Sequence, residues 1–251
     1  MSINKHEKIS NNEDSGNPPD LIMTDSSQNL LVTIENILDD LIDRSDLYPS
    51  DDEFYYKFLN IMDLYDRYQK VVLSASGISI VCHAGCSYCC CHWVDDVNSF
   101  EALIIRRYLK EHHLNMVESV IRSFRKDAEV LDSLHAIVDE KSAEYPSYEE
   151  EIDDSCELLL SCFYQLDRPC ALLDQKGCCI IYPVRPFTCR DYLNLLDPEA
   201  CHPERINEDE NATLIMYLPE TVLQKLEILH RRFDDGNNNM SLRSLLLRHL
   251  E

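Results

Sequence analysis

Apolar residues recur at three- and four-residue spacings over most of this chain, the repeat of a helix with one buried face. From Asn29 the residues Leu30, Leu31, Ile34, Ile37, Leu38, Leu41 and Ile42 fall on one such face. Ser50 as N-cap, with Glu53 at the third helical position, predicts a second helix. That helix buries Phe54, Phe58, Ile61, Met62, Tyr65 and Val72 and stops at Ser76-Gly77, where glycine can take the left-handed cap. Asn98-Ser99 opens a third helix on Phe100, Leu103, Ile104 and Tyr108, and His112 to Asn115 reads as a break with exposed histidines. A long helix through Val117, Val120, Ile121, Phe124, Leu131, Leu134 and Val138 runs toward Glu140. Tyr145-Pro146 ends it, because proline disfavours a helical residue before it. A shorter helix covers 149–165, and helices from Glu220 to Phe233 and from Ser241 to Leu250 close the chain. Ala212 to Leu218 suggests a strand, and Cys179 to Tyr182 a short extended piece within a loop-rich, proline-bearing segment from Arg168 to His202.

The expected fold class is therefore mainly α, a helical domain around an irregular, cysteine-rich metal-binding core. Residues 1–27, rich in Asn, Ser, Asp and Pro, read as a disordered tail. Residues 28–77 read as an N-terminal helical pair, 78–205 as a cysteine-cluster metal-binding domain, and 206–251 as a C-terminal helical segment.

Charge narrows the function. The formal net charge is −23, from 46 acids against 23 bases, which argues against a nucleic-acid or anionic-membrane surface. The N-terminal residues hold no apolar run of signal-peptide length, and no stretch approaches the ~20 apolar residues of a membrane span. A cytoplasmic protein is expected. In a reducing compartment, bunched cysteines read as metal ligands rather than as disulfides.

The bunching is strong. Five of the twelve cysteines lie in ten residues, Cys82, Cys86, Cys89, Cys90 and Cys91, and five more are Cys170, Cys178, Cys179, Cys189 and Cys201. Short gaps return the chain toward one centre, but the adjacent Cys89 and Cys90 point apart, which suits two metal centres or a polynuclear cluster. The second stretch offers Cys170, Cys178 or Cys179, Cys189 and Cys201. Eight thiols allow two four-cysteine zinc sites or cysteine-ligated iron–sulfur chemistry. Arg168, Arg185 and Arg190 are placed to relieve thiolate charge through hydrogen bonds to sulfur.

The first stretch, Cys82-HAG-Cys86-SY-Cys89-Cys90, resembles the opening of the YkgJ-type cysteine-cluster family, described as zinc- or iron-chelating CxxCxxCC proteins. The second, from Pro169-Cys170 through Cys179-Ile-Ile-Tyr182-Pro-Val-Arg185-Pro186-Phe-Thr-Cys189-Arg190 to Cys201, is similar to that family's C-x-I-Y-x-x-R-P-x-x-C-R run. The resemblance covers roughly residues 78–205. It implies eight ligands: Cys82, Cys86, Cys89, Cys90, Cys170, Cys179, Cys189 and Cys201. Cys179 is preferred to Cys178 because it stands three residues before Tyr182. The first gap is three residues where the family name has two, so His83 is a rival first ligand. The implied cofactor is an iron–sulfur cluster, slightly favoured by the adjacent Cys89-Cys90 and the arginines, or zinc.

Other residues have plainer readings. Cys156 and Cys162 are expected as buried small hydrophobes on a helix, Cys91 and Cys178 as accidents of drift ahead of spare ligands or redox partners of their neighbours, and His92 and His202 as neighbours rather than ligands. Asp95-Asp96 and Asp153-Asp154 read as acidic helix starts. Pro186 is expected to fix the turn, while Tyr182 and Arg185 pack over the metal centre and hydrogen-bond its thiolates. The expected function is metal binding. The alternative is a redox enzyme or a protein methylase, since some flagellin lysine N-methylases carry a similar cysteine region. The spacing Cys82-x3-Cys86-x-Tyr88-Cys89 also fits the radical SAM pattern, a remote alternative because it leaves Cys90 and the second stretch without a role.

Overall fold

The computed structural model describes residues 20–144, 152–205, 213–234, 236 and 240–251. Over these residues the protein is mainly α, with eight α-helices and one two-stranded sheet. No described helix is long and apolar enough to cross a membrane.

Helix α1 (Asp25–Asp43) begins before its apolar stripe. Thr24 Oγ1 accepts from the Ser27 N–H at 3.2 Å, and Ser27 Oγ accepts from the Thr24 N–H at 2.9 Å. This reciprocal cap turns Asp25 to Ser27, expected in the disordered tail, into helix. The first turn carries no large apolar residue, so periodicity alone misses it. Residues 1–19 of that expected tail lie outside the described residues. Helix α2 (Asp52–Ala75) is capped by Asp51, one residue later than expected, and Gly77 closes it at φ +68°.

Helix α3 (Ser99–His112) and the long α4 (Leu114–Glu144) are separated by His113 alone. His112 is exposed, and His113 is half-buried. Helix α5 (Ile152–Gln165) follows, then the second cysteine stretch, which contains the short α6 (Phe187–Asp191). Strand β1 (Tyr192–Asn194) pairs antiparallel with β2 (Thr213–Ile215), matching Leu193 with Leu214. The pairing of β1 has no sequence signal, while β2 falls in the expected strand. Helices α7 (Glu220–Phe233) and α8 (Leu242–Leu250) close the chain. The extended piece expected at Cys179 to Tyr182 is a single antiparallel bridge, Leu173 to Cys179, followed by a tight turn over Tyr182–Val184.

One apolar cluster joins α1, α2, α3, α4, α7 and α8, and it admits Leu172, Ile181, Val184 and Phe187 from the second cysteine stretch. Phe187 sets its ring edge-on to Phe58 at 5.8 Å and Tyr65 at 5.4 Å, so the loop is pegged into the face of α2. Asp95-Asp96 does not start a helix. Asn98 is the cap, Asp95 is half-buried with burial raising its carboxyl to about 6, and Asp96 stands at φ +56°. Asp153-Asp154 does fall in the first turn of α5. Cys156 is exposed and Cys162 half-buried, contrary to their expected burial; α5 turns Leu159 and Phe163 inward instead.

The irregular segments hang on buried charge. Asp127 of α4 is 1% exposed and accepts from Arg243 Nε at 3.0 Å and from Arg168 Nε at 2.9 Å. Arg243, also 1% exposed, lies against Trp93 and Phe163 and donates to the His92 carbonyl at 2.9 Å. Charge taken out of water persists only with such partners. Replacing Asp127 with alanine leaves two guanidinium groups without their carboxylate and should cost about 3–5 kcal/mol. A fall in the urea midpoint checks this, and a midpoint within error of the parent would refute it.

Candidate metal centre

Two glycines set the approach of the cysteine stretches. Gly85 stands at φ +89° and Gly177 at φ +76°, a region that side chains rarely occupy. A Cβ on Gly177 would meet the Gly85 carbonyl at 3.1 Å, and one on Gly85 would meet the Lys176 carbonyl at 3.3 Å. The backbones therefore touch where any side chain would hold them apart. Nearby, the Cys170 N–H donates to the Cys90 carbonyl at 3.0 Å. On the other side, the Val81 N–H donates to the Asn194 carbonyl at 3.0 Å, joining the first stretch to β1.

Electrostatic interactions link cysteines of the two stretches. Cys82, Cys86 and Cys89 each oppose the ionisation of Cys201, after burial has already raised it. Burial raises Cys86 as well, helped by Cys89 and Cys82. The second group is Cys90, Cys170, Cys179 and Cys189. Burial drives the Cys189 thiol up, with Cys170 and Cys179 adding to it. Burial lifts Cys179 to about 11, with Cys170 contributing. The Cys90 S–H donates to Cys89, which raises Cys90 and lowers Cys89. Cys89 thus sits between the groups, also acting on Cys170 and Cys189. All twelve cysteines are free thiols. Among the described residues, no group of three or more His, Cys, Asp or Glu side chains is arranged as it stands to hold a metal ion.

The remaining cysteines have other surroundings. Cys91 turns its S–H to Asp167 at 3.4 Å and, being buried, is raised to about 12. The Cys178 N–H is held by Asp174 at 2.9 Å. His83 is exposed with Nδ1 on the Val81 carbonyl, whereas Cys82 Sγ accepts from the Asn194 N–H at 3.2 Å. His92 stacks on Tyr164 at 3.7 Å, and burial beside Arg243 drops it to about 4. His202 lies edge-on to Tyr88.

The arginines divide in role. Arg185 favours the thiolates of Cys89, Cys179 and Cys189, and its guanidinium lies 4.3 Å from the half-exposed Tyr182 ring. Arg190 donates to the Arg185, Pro183 and Tyr182 carbonyls and to Asp66, at 2.5–3.2 Å, so it shapes the turn while its charge reaches Cys179. Arg168 serves Asp127. The Phe187 N–H donates to the wholly buried Glu101 at 3.0 Å, fixing the start of α6 on α3.

Asn194 is a site residue that spacing does not reveal. Its N–H serves Cys82, and its side-chain amide donates to Cys201 at 2.8 Å, so one residue holds two thiols at opposite ends of the cysteine region. Arg243 is another; its charge favours the Cys170 thiolate. Two buried donors in this neighbourhood, Arg185 Nε and Arg243 Nη2, have no acceptor among the described residues. Deprotonated sulfur supplies such acceptors, so the donor set fits thiolate-bound iron or zinc. No family model, curated protein or solved structure matches this chain.

Gly177→Ala should disturb the centre through the backbone contact, beyond the roughly 1 kcal/mol strain of a left-handed residue. Gly77→Ala carries the same strain with nothing within 4 Å of the added Cβ. Thiol-reagent titration separates them: faster reaction of the cysteines in Gly177→Ala only. Equal profiles would deny the glycine contact its role.

Proposed function

We propose that this chain is a cysteine-ligated metal-binding protein of YkgJ type, holding an iron–sulfur cluster, the first choice, or zinc. The observation that carries the reading is the close approach of the stretches bearing Cys82, Cys86, Cys89, Cys90, Cys170, Cys179, Cys189 and Cys201, held by the Gly85–Gly177 backbone contact, the Cys170–Cys90 hydrogen bond and Asn194 donating to both Cys82 and Cys201. These thiols lie on stretches whose first members, Cys82 and Cys170, are 88 positions apart. Thiols that repel one another in a buried place are stabilised by a shared cation.

The ligands divide into two sets of four. Cys82, Cys86, Cys89 and Cys201 form an outer set, with Cys82 exposed. Cys90, Cys170, Cys179 and Cys189 form an inner set against Arg185 and Arg243. Adjacent Cys89 and Cys90 then serve different centres, with the Cys90–Cys89 hydrogen bond lying where the two sets meet. An iron–sulfur group would bring one-electron chemistry to this place, and zinc a structural tie. The chain's own part is to hold charge and exclude water. Asn194 orients Cys82 and Cys201, Arg185 offsets the inner thiolates, and Tyr182 covers Arg185. Binding is preferred to catalysis because these polar groups all address sulfur or the backbone that carries it. Free thiols in this number support a cytoplasmic setting.

Metal content and the visible spectrum of anaerobically purified protein test the reading. Stoichiometric iron and sulfide with broad visible absorption is expected; colourless protein with about two zinc ions per chain keeps the two-set reading with the other metal. Protein that binds neither metal would end it. Cys189→Ala should lose metal while Cys178→Ala retains it, by elemental analysis. Asn194→Ala should weaken metal affinity about 10–100-fold in chelator competition, since it removes one of the two hydrogen bonds to sulfur.

A further inference from the structure

Away from the cysteines, a cleft of about 490 Å³ opens between the turn leading into α2 and the outer face of α3. Its lining brings Arg106, Arg107 and Lys110 together in a protein of net charge −23. Arg107 is fully engaged. It donates to Glu111 at 2.8 Å, Asp52 at 2.6 Å and the Ser50 carbonyl at 3.0 Å, and it lies 4.1 Å over the Tyr55 ring. Both acids of the lining are thereby taken up.

Arg106 and Lys110 are different. They are one helical turn apart on the same face, where like charges repel. Among the described residues neither pairs with a carboxylate, and the Arg106 Nε is buried with no acceptor. Tyr48, its ring largely exposed, and Leu103 add an apolar wall to the same cleft. Arginine and lysine beside such a wall suit an oxyanion carried on a small organic group.

We infer that this cleft binds a small organic oxyanion, a phosphate monoester or a dicarboxylate, through Arg106 and Lys110. The cleft is independent of the cysteine centre and of which metal that centre holds.

Isothermal titration of the full chain, as purified and at low ionic strength, tests this with inorganic phosphate, adenosine 5′-monophosphate and succinate. Saturable one-to-one binding is expected, falling with added salt, because the contact is ionic and partly exposed. Arg106→Gln and Lys110→Gln should each weaken it at least about fivefold, the loss of one charge-assisted hydrogen bond. Lys110 is exposed, so its substitution leaves the fold intact, and a thermal melt controls for Arg106. Binding of the nucleotide and phosphate without succinate assigns a phosphate ligand; binding of succinate alone assigns a carboxylate. No saturable heat with any of the three overturns the inference. Binding unchanged by both substitutions also overturns it, because the anion then sits elsewhere.

Discussion

Asp127 is a carboxylate with almost no water around it, and two guanidinium groups from distant parts of the chain converge on it. Such a group is tolerable only while both partners stay in place. The requirement ties α4 to α8 and to the segment just before Cys170, and through the His92 carbonyl it reaches the end of the first cysteine stretch. Arg190 applies the same logic from the other side, holding the carbonyls of residues 182, 183 and 185 against Asp66 of α2. A region with few apolar residues and little secondary structure is thus fixed by backbone carbonyls gripped by buried arginine.

That arrangement leaves the charge of the exterior unchanged. The bases are few, 23 against 46 acids, and among the described residues the buried charges balance, Arg190 and Arg243 against Glu101 and Asp127. The charge of these arginines is neutralised by carboxylates and carbonyls at short range. The remaining acids face water with little to offset them. The outward acidity of the molecule therefore follows from the surplus of acids in the sequence and not from how its irregular core is held.

The helices were legible because their apolar stripes are long; α2, α7 and α8 fall within a residue of where the pattern places them. The first turn of α1 escaped, since a cap made of Thr24 and Ser27 leaves no apolar trace. Strand β1 escaped as well, because three residues give too little alternation to read. At the site, the cysteines were legible as a pattern and Arg185 by its place within it. Asn194, Asp127 and Arg243 were not: Asp127 and Arg243 pair across 41 positions or more, and Asn194 reaches Cys82 through a backbone N–H that any residue possesses and Cys201 through a single amide that forms no pattern. Arg168 and Arg190 show the limit most clearly. Proximity in sequence to the cysteines suggested sulfur as their partner, while the fold gave their hydrogen bonds to carboxylates and carbonyls.

The hydrogen bond from Cys170 to Cys90 closes a loop of 80 positions that contains three whole helices. Bringing such distant ends together costs roughly 4 kcal/mol of chain entropy before any contact repays it. During synthesis the first stretch therefore emerges long before its counterpart, with α3, α4 and α5 still to be made. Contact between the two cysteine stretches can form only once those helices have been made and the second stretch has followed them. A chain cut short before Cys170 would present unmatched thiols to the cell, which makes this late-closing contact the point where assembly and damage compete.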